Sequence, residues 1–328
     1  MTEREEGRFP EREAVIATID GVPVTLAEYE RAVRRNRPRV LNHFFQQFKT
    51  CETPEFWTTS FAGEIPLELL KQTALDESVM VKIRQMIAKD YDVVQDISHK
   101  AFLEQLAAEN ERRAKAIAGQ QVVYGPVRYS EDAYFEYYMT RLAAAVKQKL
   151  EQEERRRATC EQTLWNYYCS CRTELYLNPG YVKVYSITVS YLNADRQIDP
   201  VAKEHARKRL EQAKARLEWG MPFIEITQDY ADQRKIQELT FYLENDRHNL
   251  RSPVARTAAG LRVGEISEIV EENGSLYLLC CVEKTEPYTE YLPYEQIRDR
   301  VLNDYIASKY EQLIQARWAE ATILVSET

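Results

Sequence analysis

Residues Val182–Leu192 read VKVYSITVSYL, a run dominated by β-branched and aromatic residues. This composition is typical of a strand in the middle of a sheet. The pair Asp199-Pro200 then predicts the start of a helix, and Gly220 predicts its end. Between them, apolar residues recur at spacings of four, three and four positions: Ala206, Leu210, Ala213 and Leu217. The segment therefore predicts a strand followed by a helix with one apolar face.

A hairpin is predicted further along the chain. Ser267–Glu271 and Leu276–Val282 have the composition of strands. Asn273-Gly274 lies between them and favours a type I′ turn, in which both central residues take positive φ. The strand, the helix, an irregular middle segment and this closing hairpin indicate a small α+β unit from Tyr181 to Pro287.

This unit resembles the parvulin-type (PpiC-type) peptidyl-prolyl cis-trans isomerase domain, a rotamase. Val263–Ser267 reads Val-Gly-Glu-Ile-Ser, which is similar to the Val-Gly-Glu-Val-Ser turn of that family. Pro253-Val254 stands just upstream, as in the helix that precedes this turn in the family. The resemblance implies the small α+β fold of a parvulin.

The residues that mark the active site in that family are replaced here. Ser186 stands where the family has the histidine of its His-Ile-Leu-Val motif, and Leu276 stands where it has the histidine of Gly-Tyr-His. Ile236–Tyr242 contains no glycine where a Gly-Gly-x-Leu-Gly loop is expected. Rotation about an X-Pro bond needs a shaped pocket rather than proton transfer, against a barrier of about 20 kcal/mol. The resemblance therefore implies weak or absent isomerase activity, and no catalytic residue is assigned.

The amino-terminal region predicts a second hairpin, Val15–Thr25. Asp20-Gly21 supplies its turn, and Pro23 favours a place at the edge of a sheet. Thr25 and Glu28 then form a capping box at the start of a helix. The string from Ile19 to Tyr29 resembles the start of a SurA-type amino-terminal domain.

Helices are predicted on both sides of the parvulin-like unit. Between Pro126 and Pro179 no glycine or proline breaks the pattern, so one very long helix or a hairpin of two fits. The remaining predicted segments are helices at Pro66–Asp90, Ser98–Ala118 and Tyr294–Ala319 and a strand at Ala321–Val325. The layout resembles the SurA/PrsA class of secretion foldases.

The resemblance implies an α+β protein in which a mainly helical, SurA-N-like chaperone domain carries an inserted parvulin-like domain. The helical domain is predicted to contain residues 12–178 and 288–328. The parvulin-like domain is predicted at 179–287, and residues 1–11 are predicted to be flexible.

Aromatic residues on the predicted helices suggest a groove for extended peptides. Tyr134, Tyr138 and Trp165 are candidates on the helical segments, and Phe223 and Phe241 are candidates in the parvulin-like unit. An aromatic stripe on a long helix is more often packing surface, so a packing role is the alternative interpretation.

Composition limits the classes of partner. The chain has 328 residues, 44% of them hydrophobic and 29% charged, which is typical of a globular protein. The net charge of -8 is diffuse, so a nucleic acid partner is not expected. No stretch approaches the ~20 apolar residues of a membrane span, and Met1–Glu13 lacks the apolar block of a secretory leader. The chain as written is expected to be cytoplasmic. The family resemblance instead suggests an extracytoplasmic or membrane-associated protein, with a leader or anchor removed before this numbering begins.

Neither a cofactor nor a metal site is predicted. The four histidines, His43, His99, His205 and His248, show no paired spacing of metal ligands. The six cysteines include no Cys-x-x-Cys motif and are interpreted as mostly buried thiols. No phosphate-binding glycine loop and no nucleophile elbow is present.

The resulting hypothesis is a chaperone or foldase that binds unfolded or extended polypeptides. Two alternatives stay open at this point. One is an active prolyl isomerase with an altered pocket, and the other is an assembly or scaffold protein that binds one folded partner. A homo-oligomer is compatible with each of them.

Overall fold

The computed structural model describes residues 13–232, 236–243 and 251–326. The chain forms two compact units, here called unit 1 (Met1–Thr163 and Asp299–Thr328) and unit 2 (Leu164–Arg298). Each unit combines helices with an antiparallel sheet, which confirms the predicted α+β class. The domain boundaries predicted after residues 178 and 287 stay a prediction. Residues 1–11, which are predicted to be flexible, lie outside the described ranges.

Helices and strands alternate unevenly along the described residues. The helices are α1 (Leu26–Phe48), α2 (Pro66–Asp90), α3 (His99–Ala118), α4 (Glu131–Arg155), α5 (Cys160–Leu175), α6 (Pro200–Glu218), α7 (Phe223–Tyr230), α8 (Pro253–Gly260) and α9 (Tyr294–Glu320). The strands are β1 (Val15–Ile19), β2 (Val22–Thr25), β3 (Tyr181–Ser190), β4 (Gln237–Tyr242), β5 (Val270–Glu272), β6 (Ser275–Thr285) and β7 (Ile323–Val325). The segment between Pro126 and Pro179 is thus a pair of helices rather than one.

Unit 1 contains a three-stranded sheet of order β2-β1-β7. Asp20 and Gly21 take φ values of 49° and 79° in the β1–β2 turn, as a type I′ turn requires. Strand β7, from the carboxy-terminal end, pairs antiparallel with β1. The predicted hairpin is confirmed, and Pro23 lies on the edge strand β2, where its missing N–H costs no ladder hydrogen bond.

Capping residues define the starts of the long helices. The amide of Glu28 donates to Thr25 Oγ1, and the amide of Thr25 donates to Glu28 Oε2 at 2.9 Å, so the predicted capping box is present. Ser98 Oγ accepts from the amide of Ala101 at the start of α3. The same kind of cap begins α4 at Ser130. These local hydrogen bonds satisfy amides that have no partner inside a helix.

A buried ion pair joins α1 to α2. Lys82 Nζ lies 2.6 Å from Glu28 Oε1, with only 2% and 8% of the two side chains exposed. Glu28 uses its other carboxylate oxygen for the cap at Thr25, and Lys82 also donates to the carbonyl of Ile97 at 3.4 Å. Both charges are therefore compensated inside the protein, which is the condition under which buried charges are tolerated.

Unit 2 is built on a four-stranded antiparallel sheet of order β4-β3-β6-β5. Ile187 and Val189 of β3 pack with α6 and α7 on one face. Val182 and Val184 of the same strand pack with α8 on the other face. Successive side chains of a strand point to opposite faces, so β3 contributes to both cores. The helix α7 and the strand β4 lie in the segment that the sequence predicted to be irregular.

Two segments within unit 2 that are distant in sequence lie side by side. Leu177 forms a bridge with Tyr291, and the amide of Asn178 donates to the carbonyl of Glu290 at 2.8 Å. Gly180 has a φ of +74°, and a Cβ at this position would lie 2.7 Å from the nitrogen of Pro287. Glycine is therefore required here by both conformation and space.

Replacing Lys82 with methionine is expected to destabilise the protein strongly. The Lys82→Met variant leaves the Glu28 carboxylate buried without its cation, so the free energy of unfolding should fall by about 3–5 kcal/mol. Urea unfolding followed by circular dichroism measures this loss. The control is Lys82→Met with Glu28→Gln, which removes the unpaired charge but keeps an acceptor for the cap. This double variant should be more stable than Lys82→Met, and wild-type stability of Lys82→Met would show that the ion pair contributes nothing.

Candidate functional site

Polar side chains replace the apolar core at one end of β3. Ser186, Thr188 and Ser190 occupy alternate positions of the strand, on the face where Val182 and Val184 pack with α8. A cavity of about 180 Å³ lies over this end of the sheet. It is lined by Ser186, Thr188, Ser190, Ala231, Asp232, Gln237 and Ser275. This polar cavity includes the position where the parvulin resemblance places a histidine.

Hydrogen bonds organise the cavity wall. Ser186 Oγ and Thr188 Oγ1 are 2.8 Å apart, and Thr188 Oγ1 donates to Gln237 Oε1 at 3.3 Å. Asp232 Oδ2 accepts from the amide of Ser190 at 2.8 Å, and Asp232 Oδ1 lies 3.1 Å from Arg209 Nη1. The wall thus carries hydroxyl, amide and carboxylate groups in fixed positions. It contains no imidazole among its lining residues.

Leu276 does not lie beside Ser186, although the resemblance assigns both positions to the active site. Leu276 is fully buried and packs with Ile187 and Val189 in the core under α6 and α7. Ser186 faces the other side of the sheet, so the two positions do not line one pocket. The β6 residues on the side of Ser186 are the alternate ones, which include Ser275. A difference of one residue in position along β6 matters because successive side chains of a strand point to opposite faces of the sheet.

The segment Ile236–Tyr242 is also different from the predicted loop. Residues Gln237–Tyr242 form strand β4 and pair with β3 in a regular antiparallel register. Leu239 and Phe241 of this strand pack against the core that α8 covers. A strand needs no glycine here, and the β-branched and aromatic residues of β4 suit a half-buried sheet position.

Two of the predicted peptide-binding residues lie in the core of unit 1. Tyr134 and Tyr138 on α4 are 3% and 5% exposed. Their rings lie 5.6 Å and 5.5 Å from the ring of Phe102 on α3. Burial raises the pKa of Tyr138 to about 12, because the charged phenolate is disfavoured away from water. These rings pack helices together, which agrees with the alternative interpretation of the stripe, and they are not open to a peptide in this structure.

A charged cluster surrounds the same aromatic core. The guanidinium of Arg31 lies 4.3 Å from the ring centre of Phe135 and 5.0 Å from that of Phe102. It also forms an ion pair with Glu131 at 2.8 Å. The neighbouring His99 imidazole, together with the Arg31 guanidinium, holds the pKa of Glu131 at about 2. Cation–π contacts and this ion pair therefore fix α1 against α3 and α4.

The other predicted peptide-binding residues are dispersed over unit 2. Trp165 on α5 is 43% exposed, and its ring contacts Tyr168 and Tyr294. Phe223 packs against the core under α6 and α7, whereas Phe241 packs on the opposite face of the sheet. Within each unit, the candidate residues predicted from the sequence therefore do not line a common groove. Their contact with peptides stays a prediction.

A loop in unit 1 that the sequence analysis did not single out exposes apolar side chains. Residues 119–130, here called the apolar loop, connect α3 to α4. Val122, Tyr124 and Val127 of this loop are 79%, 85% and 69% exposed. The sequence could have indicated this loop, because valine and tyrosine are unusual in a segment that contains turn-forming residues such as Gly119, Gly125 and Pro126. Because connecting segments often carry binding residues, these exposed apolar side chains make the loop a candidate interaction site.

A buried arginine holds the apolar loop in place. Arg113 on α3 donates from Nη1 to the carbonyls of Tyr124 and Pro126 at 3.0 Å and 2.6 Å. Its guanidinium also lies 4.3 Å from the ring centre of Tyr129 and pairs with Glu109. Arg113 is only 5% exposed, so these hydrogen bonds are protected from water. The backbone of the loop is therefore preorganised and does not need to be ordered on binding.

Asn110 completes the attachment and borders a groove. Its side chain exchanges hydrogen bonds with the backbone of Tyr129, at 3.0 Å from Nδ2 and 2.8 Å to Oδ1. A groove of about 550 Å³ lies next to these residues. It is lined by Leu103, Leu106, Ala107, Asn110, Arg128, Tyr129, Ser130 and Glu131. The apolar loop thus adjoins a surface with both apolar and hydrogen-bonding groups.

Within the described ranges, no cluster of three or more histidine, cysteine or acidic side chains is arranged to hold a metal ion. His43 contacts Glu64, and His99 lies near Glu131, while His248 lies outside the described residues. Two of the six cysteines, Cys160 and Cys281, are buried and Cys51 and Cys169 are exposed, so the prediction of mostly buried thiols is wrong. No helix in the described part of the chain has the length and apolar character that a membrane span needs.

Solved structures of low sequence identity are similar to this chain. PrsA from Bacillus subtilis is 14% identical, and the match covers 82% of this chain and 93% of that chain at a TM-score of 0.24. The foldase protein PrsA from Lactococcus lactis is 16% identical, with 95% of each chain covered at a TM-score of 0.28. A structure of the SurA-like chaperones PEB4 and Cj1289 from Campylobacter jejuni is 14% identical, with 96% of this chain and 100% of that chain covered at a TM-score of 0.30. The similarity is to the SurA/PrsA-like class that the sequence resembles.

No protein-family model and no curated protein matches the chain. At the identities and TM-scores of the solved structures, the similarity carries no conclusion about clients, pocket or activity. The functional conclusion therefore depends on the residues of this protein.

Substituting the buried tyrosines is expected to affect stability first. Tyr134→Ala and Tyr138→Ala each leave a cavity beside Phe102, so each should lower the free energy of unfolding by about 3–5 kcal/mol. Trp165→Ala serves as the comparison, because a side chain that is 43% exposed loses less burial. Chemical unfolding of the three variants measures these differences. Wild-type stability of both tyrosine variants would contradict the packing role.

Proposed function

We propose that this protein is a polypeptide-binding chaperone or foldase whose prolyl isomerase activity is weak or absent. The apolar loop is the observation that carries the proposal. It presents Val122, Tyr124 and Val127 to solvent on a backbone that Arg113 holds in place. Exposed apolar side chains on a fixed backbone suit the capture of apolar segments that a folded client would bury.

The energetics favour reversible binding at such a surface. Apolar burial contributes about 25 cal/mol per Å², and association costs several kcal/mol in lost translational and rotational freedom. A loop with a small number of apolar side chains therefore supports modest affinity. Because the backbone is already ordered, less conformational entropy is lost on binding than for a mobile loop. Modest and reversible affinity is what a protein needs to hold and release many clients.

Weak isomerase activity is supported by the chemistry of the polar cavity. Ser186 is the residue at the expected histidine position, and the second position, Leu276, is buried on the opposite face of the sheet. A pocket that lowers the barrier to X-Pro rotation must bind the twisted transition state better than the planar ground state. The lining has the hydroxyls of Ser186, Thr188, Ser190 and Ser275 and no imidazole.

Removing the apolar side chains of the loop is expected to abolish client binding. The test is suppression of aggregation of a reduced, unfolded protein by the full chain and by a variant with Val122→Ser, Tyr124→Ser and Val127→Ser. We expect the parent to suppress aggregation and the variant to lose most of this effect, because the substitutions leave the Arg113 hydrogen bonds to backbone carbonyls intact.

The matched control changes exposed apolar residues elsewhere. Ile198→Ser, Val201→Ser and Trp219→Ser replace side chains that are 64%, 67% and 93% exposed. This control variant should retain suppression. Failure of the parent protein to suppress aggregation would refute the chaperone proposal, and equal loss in both variants would refute the assignment to the loop. A single stoichiometric folded partner in place of many unfolded clients would support the scaffold alternative, which the fixed loop backbone also suits.

Prolyl isomerase activity is expected to be low. With the family histidines replaced, the catalytic efficiency on a proline-containing peptide should stay well below ~10⁴ M⁻¹s⁻¹, the lower end of the common enzyme range. A protease-coupled assay with an active parvulin as the positive control measures it. A rate at or above that value, abolished by Ser186→Ala, would instead establish an active isomerase with an altered pocket.

A further inference from the structure

The apolar loop continues into a row of stacked side chains on α4. Tyr129 of the loop stacks on Tyr137, with the ring centres 5.6 Å apart and an angle of 16° between the rings. The guanidinium of Arg141 lies 5.5 Å from the ring centre of Tyr137. Tyr137 is 38% exposed and Arg141 is exposed. These three residues, here called the Tyr-Arg ladder, therefore extend the exposed surface of the loop along the helix.

Two arginines at this surface have no carboxylate partner. Arg141 ends the Tyr-Arg ladder, and Arg128 is exposed in the apolar loop and lines the adjoining groove. Within the described part of the chain, neither guanidinium forms an ion pair. Two positive charges thus stand beside exposed apolar side chains without a negative charge to compensate them.

Most carboxylates next to the loop are, in contrast, paired with cations of the protein. The pairs are Glu109 with Arg112 and Arg113, Glu111 with Lys115, Glu131 with Arg31, Asp132 with Arg34 and Glu136 with Arg35. Glu104 on α3 is exposed and has no such partner among the described residues, but it does not line the groove. The local surface is therefore positive in a chain whose net charge is -8.

The stacking of Arg141 suits it to a carboxylate. A guanidinium that lies on an aromatic ring keeps its N–H edges available, and these edges match the two oxygens of a carboxylate. A basic side chain would be repelled by the same group. A small free anion would leave Val122, Tyr124 and Val127 uncovered, whereas an acidic residue among apolar residues satisfies both parts of the surface.

We propose that the apolar loop and the Tyr-Arg ladder together bind polypeptide segments in which an acidic residue stands among apolar residues. The inference rests on the proposed function and names the class of client that the loop prefers. The apolar contacts supply most of the affinity, and Arg128 and Arg141 supply the selectivity, as charges at the rim of an interface do. Because the chain as a whole is acidic, these arginines also decide where an acidic segment can approach it.

The experiment uses short peptides that differ only in charge. Acetyl-Leu-Phe-Glu-Leu-amide is titrated into the ¹⁵N-labelled full chain, with the Gln and Lys peptides of the same sequence as controls. We expect shifts in the backbone amides of Val122, Tyr124 and Val127 and, for the Glu peptide, in the Nε–H signal of Arg141. The dissociation constant of the Glu peptide should be about fivefold lower than that of the Gln peptide, as exposed ion pairs allow. At about 1 M salt, where the Debye length is ~3 Å, this difference should largely disappear.

Two substitutions and a matched control assign the preference to the arginines. Arg128→Gln and Arg141→Gln should each reduce the preference for the Glu peptide over the Gln peptide about twofold, and the double variant should remove it. Both side chains are exposed and form no ion pair within the described residues, so each variant should fold. Arg155→Gln makes the same change of charge at the other end of α4, where Arg155 pairs with Glu151 at 2.8 Å. This control should keep the full preference.

The outcomes separate this proposal from the proposed function, because aggregation suppression is measured on the same samples. Equal affinity for the Glu and Gln peptides, shifts remote from the apolar loop, or an unchanged preference in the double variant would overturn the acidic-segment site. Suppression of aggregation together with any of these results leaves the chaperone proposal standing. A chain that prefers the Glu peptide at the loop but does not suppress aggregation retains the acidic-segment site and loses the chaperone proposal.

Discussion

The alternation of side chains along β3 constrains the whole of unit 2. This strand pairs with β4 on one side and β6 on the other, so its residues must serve two faces of the sheet. Ile187 and Val189 belong to one core, while Ser186 and Thr188 line the cavity on the other face. A slip of one residue would bury hydroxyls in the apolar core and expose the aliphatic side chains. The register that stabilises the fold is therefore the same register that places the polar wall.

Unit 1 relies on charges that are buried with their partners. Lys82 joins two helices through Glu28, and Arg113 holds the apolar loop through backbone carbonyls. Buried charges of this kind add little net stability compared with apolar residues, but each tolerates only one arrangement of its partners. Their contribution is thus to the uniqueness of the arrangement. For the apolar loop this means that its backbone has a defined arrangement although its apolar side chains are exposed.

Local patterns in the sequence were sufficient for most of the elements. The Asp20-Gly21 turn, the Thr25 cap and the strand at Val182–Leu192 each depend on residues close in sequence, and each prediction is confirmed. The face of a sheet on which a side chain lies, and whether that side chain is buried, depend on residues that are distant in sequence. Leu276 was misplaced by one residue relative to the cavity, and the burial of Tyr134 and Tyr138 depends on Phe102 in another helix. The hydrogen bonds from Arg113 to the apolar loop were missed, because the sequence does not indicate which carbonyl groups an arginine in a helix will bind.

The two paired segments that flank strands β3 to β6 in unit 2 have a consequence for how this chain can change over evolution. Leu177 and Tyr291 are bridged, and Gly180 lies against Pro287, so the ends of the intervening stretch are held side by side. The cost of closing a loop grows only slowly with its length. A stretch whose ends already meet can therefore be shortened, enlarged or exchanged for another module as a single genetic event, with little entropic penalty for the sequences that flank it.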